Sequence, residues 1–126
     1  MASGGGVFKR LGERFTKTAD QVHADQLREH TRARGSTEIA TLADRQMATV
    51  SGKVRSVSLR PQSTVPALIV DLDDGSQVLV LVWLGRRKIR GIEPGVYLQA
   101  TGRVCYRDGR PTVFNPAYEL LPRRSS

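Results

Sequence analysis

The stretch TVSGKVRSVSL, residues 49–59, decides the fold. Val50 and Val54 share one parity, with Lys53 and Arg55 on the other, and then Val57 and Leu59 fall out of phase with the first pair. Alternation with a period of two marks a strand. A slip of one residue inside it marks a β-bulge, which bends the strand. With Gly52 close by, that bend suits a strand that curls around a small barrel. The segment from Pro61 to Pro66 then breaks the run.

Two hairpins follow. Ala67–Asp73 alternates Leu68, Val70 and Leu72 against Ile69 and Asp71, and Asp74-Gly75 reads as a two-residue turn into Gln77–Leu84. Such a turn sets Ile69 beside Val80 and Asp71 beside Val78. It faces Trp83, Leu79 and Leu81 inward and leaves Ile69, Val80 and Val82 as an apolar outer patch, with Lys53 and Arg55 on the same outer side of the first strand. Exposed apolar patches usually mark contacts. Val96–Tyr106 forms the fourth strand, Asp108-Gly109 turns it into Thr112–Phe114, and Asn115-Pro116 ends that strand before a short extension, Tyr118–Leu121. The gap Gly85–Gly95 has room for one helical turn around Arg87-Lys88-Ile89. Five short strands, the first bulged, predict an all-β, five-stranded Greek-key barrel of the OB-fold type over residues 46–122. An SH3-like barrel competes, and the length of the first and fourth strands favours the OB-fold.

The remainder divides by composition. Residues 1–6 read as a disordered leader, residues 7–45 as a helical extension and linker, and residues 123–126 as a basic tail. Phe8, Leu11, Phe15 and Val22 fall at helical spacing, and Gly35-Ser36 supply a stop. This stripe suits docking on the outer patch or on a partner protein.

Composition excludes several classes. The longest apolar run, Val78–Leu84, is seven residues, far short of the roughly 20 of a membrane helix. No apolar leader points to secretion, so the expected compartment is the cytoplasm, with no membrane partner. Cys105 is the single cysteine, which leaves no internal disulfide and no cysteine zinc site. His23 and His30 share a helix face with only Asp25 and Glu29 near, and Asp71, Asp73 and Asp74 lack calcium-loop spacing. No nucleophile motif is present. The expectation is a non-enzyme without metal or cofactor.

Charge gives the positive signal. Lys plus Arg number 20 against 12 acids, a net +8, and that excess favours an anionic partner, nucleic acid first. The segment 61–85 is acidic, and the excess gathers at the two chain ends and after Leu84.

The runs VSGKVRSV (50–57), LIVDLDDGSQVLVLVW (68–83), GIEPGVYLQATGRV (91–104) and DGRPTVFNPAYEL (108–120) resemble the wedge domain of the RecG branch-migrating helicase. That domain is an OB-fold closing on a His-Pro-x-Tyr-Glu segment, and Asn115-Pro116-Ala117-Tyr118-Glu119 is similar to it, with Asn in first place. The chain also resembles short stand-alone OB-fold proteins of GC-rich bacteria. The resemblance implies nucleic-acid binding. No Gly-Lys-Ser/Thr phosphate loop is present, so it does not extend to the motor. Leu84 and Lys88 stand where the wedge domain carries duplex-parting aromatics.

The candidate contact residues are Lys53, Arg55, Arg60, Arg86, Arg87, Lys88, Arg90, Tyr106, Arg107 and Arg110. Arg86, Arg87, Lys88 and Arg90 are four cations in five residues, whose mutual repulsion a phosphate backbone relieves. Arg60, with Gln62, lies between strands one and two, and Arg107 and Arg110 flank the turn between strands four and five. Those loops commonly border an OB-fold groove. Tyr97 and Tyr106 are the candidate exposed rings, and Tyr106 suits base stacking. The expected function is binding of single-stranded or junction DNA, or RNA, through Arg/Lys–phosphate contacts. The alternative is a protein-interaction module using the apolar outer face or the N-terminal helix.

Overall fold

A computed structural model describes residues 19, 21, 22, 24, 26, 35–60 and 65–122. Ala19, Gln21, Val22, Ala24 and Gln26 have helical backbone. The rest of the expected helix, the leader, Gln62 and the basic tail lie outside the described residues.

Most of the described chain is strand: β1 (Met47–Arg60), β2 (Ala67–Asp73), β3 (Val78–Leu84), β4 (Tyr97–Arg107), β5 (Arg110–Phe114) and β6 (Ala117–Leu121). A 3-10 turn, Ile39–Thr41, comes just before them. The sheet order is β1-β2-β3-β5-β4-β6, and β1 also pairs with β4, so five strands return on themselves through their pairings. The long β1 makes this possible. Its first half, Met47–Lys53, pairs with β4, and its second half, Lys53–Arg60, pairs with β2. The register shifts between Val54 and Ser56, where the sequence phase slips. Gly52 sits where a Cβ would come 2.6 Å from the Asp73 carbonyl oxygen, so the crossover of β1 and β2 admits no side chain there.

The two Asp-Gly hairpins differ. Asp108 and Gly109 both have positive φ, 53° and 76°, and Arg107 pairs with Arg110 across them, the two-residue form that Asp-Gly favours. At Asp74-Gly75 the expected two-residue turn is absent. The loop is four residues long, and Ile69 pairs with Val82, Asp71 with Val80 and Asp73 with Val78. Asp74 causes the change. Its Oδ1 accepts from the backbone N–H groups of Ser76 and Gln77 and from the Ser76 hydroxyl, while Oδ2 accepts from the Ile39 N–H at 2.8 Å. The fully buried carboxylate thus closes a wider loop and ties it to the segment before β1. Because the register moves by two, each side chain keeps its expected face.

That segment is no simple linker. Ile39 is 0% and Leu42 5% exposed within the core cluster. Thr37 N–H donates to Thr49 O, Arg45 N–H to Val104 O and the Tyr106 hydroxyl to Leu42 O. The core therefore begins before the expected boundary at 46. Burying Ile39 contributes on the order of 2 kcal/mol.

The gap between β3 and β4 contains no helical turn. Ile89 and Ile92 pack into the core, and an Ile92 N–H to Ile89 O bond closes a turn between them. Trp83 is buried with Leu79 and Leu81, and its Nε1 donates to Pro116 O at 3.2 Å. Asn115, at φ 50°, donates its N–H to Val82 O and accepts from Leu84 N–H through Oδ1. The Asn-Pro corner thereby locks the end of β5 to β3.

Candidate nucleic-acid interface

Ile69, Val80 and Val82 lie on the outward parity of β2 and β3, opposite Leu68, Val70, Leu79 and Leu81. Ile69 and Val80 are half-buried there, and Val82, expected in an exposed patch, is buried. β5 adds Thr112 beside Val80 and Phe114 beside Val82. These side chains floor a groove of about 420 Å³. Arg60, at the end of β1, and Arg107 and Arg110, around the tight turn after β4, stand on its border. The acids in the lining are Asp71 and Asp108.

Two of the three border arginines meet partners in the groove lining. Arg110 lies 3.9 Å from the Asp71 carboxylate, with both side chains partly exposed. An exposed pair of this kind contributes at most about 1 kcal/mol, little enough for a stronger anion to displace. The Arg107 guanidinium sits 5.3 Å above the Phe114 ring, and that ring is 37% exposed. A planar cation over an exposed aromatic is a stacking surface that carries charge.

The structure thus brings together three of the sequence-selected residues, Arg60, Arg107 and Arg110. The other seven do not line the groove. Lys53 and Arg55 sit at the β1 crossover, where Arg55 lies 3.9 Å from Asp73. Arg86, Arg87, Lys88 and Arg90 are exposed on the loop that carries the buried Ile89. Tyr106 is 38% exposed, yet its hydroxyl is bonded to Leu42 O and its N–H to the Asp44 carboxylate. It holds the segment before β1 rather than bordering the groove.

Sequence reasoning missed Phe114, although alternation along Thr112-Val113-Phe114 sets Phe114 on the face opposite the apolar Val113. It also missed Tyr118, which is 40% exposed and meets Trp83 edge to face at 5.7 Å. Among the described residues no group of three His, Cys, Asp or Glu is placed to hold a metal.

No protein-family model and no curated protein matches the chain. Among solved structures it is similar to RecG bound to a three-way DNA junction, with 22% identity and a TM-score of 0.49 over 65% of this chain. The chain spans 12% of that RecG chain.

Proposed function

We propose that the chain is an OB-fold barrel of the cytoplasm that binds single-stranded or junction nucleic acid, DNA or RNA, without catalysis. One observation carries this reading: the groove across β2, β3 and β5 combines an apolar floor, an exposed aromatic ring and three arginines from two separate connections. Stacking and backbone charge in one groove are the two ingredients of single-strand binding. Arg60, Arg107 and Arg110 contact phosphates, and Phe114, under Arg107, takes a base. Base–aromatic stacking tolerates any sequence, so binding is of low sequence preference. Arg86, Arg87, Lys88 and Arg90, exposed and outside the groove lining, attract the polyanion through the long-range field, which reaches about a Debye length. Lys53 and Arg55 add to the same field.

The apolar floor also favours a second reading, a protein partner seated on Ile69, Val80 and Val82. Titration of labelled single-stranded DNA and RNA at two salt concentrations separates the two. Binding that weakens steeply with salt is expected. Absence of binding to either polymer at low salt, with the β-sheet signal intact by circular dichroism, overturns the nucleic-acid reading.

A further inference from the structure

Phe114 borders two concavities. On one side lies the groove over β2 and β3; on the other, Phe114 joins Arg45, Arg103, Val104 and Cys105 in lining a depression of about 650 Å³. The two sit on one continuous surface. Asp71 pairs with Val80, Val80 with Thr112 and Thr112 with Cys105, a single row running from β2 across β3 and β5 to β4. Arg103, Cys105 and Arg107 share a parity on β4, opposite the fully buried Val104, so they project from that same surface.

Arg45 is the unusual member. It stands at φ 71° in a turn that the Gln46 N–H closes onto Ala43 O. Glycine or asparagine is the ordinary choice for such a position, and another residue there is strained. Arg45 contributes to the turn through its backbone: its N–H donates to Val104 O at 2.7 Å, and its carbonyl O accepts from Arg103 Nη1 at 2.8 Å. Glycine would keep both. The Arg45 side chain is exposed and takes no part in holding the turn. The bond to Arg45 O engages Nη1 of the Arg103 guanidinium, and both arginines line the depression.

We infer that the bound strand runs on past Phe114, and that Arg45 and Arg103 form a further phosphate-binding subsite. The inference rests on the proposed function and extends it to two residues outside the groove. Across both concavities the lining carries Arg45, Arg60, Arg103, Arg107 and Arg110 against Asp71 and Asp108, a net positive path that suits a polyanion. Phe114 is shared by both linings.

Cys105, half-exposed on the floor of the depression, is the chain's single thiol and reports occupancy directly. The test measures its reaction rate with a neutral maleimide, with and without saturating oligothymidylate or oligouridylate. Affinities of Arg45→Gly and Arg103→Ala are measured alongside, with Arg103→Lys as the charge-retaining control. Several-fold slowing of labelling is expected. Each neutral variant loses about fivefold in affinity, the upper range for an exposed charge pair, and about 0.7 in the salt slope. Arg103→Lys keeps most of that slope, and Arg45→Gly unfolds no earlier than the wild type. Oligonucleotide binding with Cys105 labelled at the free rate and both variants at wild-type affinity overturns the subsite and leaves the groove reading standing. A wild type that binds neither oligonucleotide overturns both.

Discussion

The groove and the loop between β3 and β4 present the same chemistry in opposite ways. The loop concentrates four cations in five residues, and the fold uses it to bury Ile89 and Ile92. The groove has no such run. Its arginines come from positions 60, 107 and 110, and pairing of β2, β3 and β5 brings them around one apolar floor. Density of charge along the chain and convergence of charge in space are different properties. On the proposed reading convergence supplies the site, because a bound strand would touch several phosphates and an aromatic at once. Density supplies long-range attraction.

Substitutions can break this comparison. The largest effect is expected at Ile89→Ala, which removes a side chain only 3% exposed and should destabilise by about 2–5 kcal/mol, read as a lower denaturant midpoint. Val80, on the groove floor, is half-buried and faces outward, so Val80→Ala should cost about 1 kcal/mol or less. If both variants unfold at the same denaturant concentration, the loop is not anchored as described. Phe114→Ala should reduce oligonucleotide affinity about tenfold with the salt slope unchanged, since stacking contributes about 1–3 kcal/mol per base and releases no counterion. A reduced slope would reassign Phe114 to positioning Arg107. The smallest effect is expected on the loop surface: joint replacement of Arg86, Arg87 and Lys88 by Ala should leave stability within about 0.5 kcal/mol, read by thermal unfolding.

What the sequence made legible follows from how locally each feature is encoded. The bulge at Val54–Ser56 is a phase slip visible in eleven residues, and the Asp108-Gly109 turn needs only its own dipeptide. Asp74-Gly75 has the same dipeptide, but the Asp74 carboxylate is shared with Ser76, Gln77 and Ile39, and the last of these is 35 positions away. No local rule contains that bond. Ile39 and Leu42 carry no strand period, so the segment that buries them reads as a linker. At the candidate site, Arg60, Arg107 and Arg110 were readable because they flank turns. Arg86, Arg87, Lys88 and Arg90 stand out in the sequence through density alone, and Tyr106 through its neighbour Arg107. Its hydroxyl bond to Leu42 depends on a contact across 64 positions.

The central claim, that the converged arginines and not the dense run form the site, is tested most directly by the salt dependence of oligonucleotide affinity. The measurement compares the wild type, the variant with Arg60, Arg107 and Arg110 replaced by Ala, and the variant with Arg86, Arg87 and Lys88 replaced by Ala. Each single-strand phosphate contact adds about 0.7 to the slope of log affinity against log salt. The groove variant should therefore lose about 2 in slope and on the order of a hundredfold in affinity at low salt, while the loop variant should lose less than about 0.7 in slope and less than about fivefold in affinity. The reverse pattern, with the loop variant losing the larger slope and the groove variant binding as the wild type does, would contradict the account.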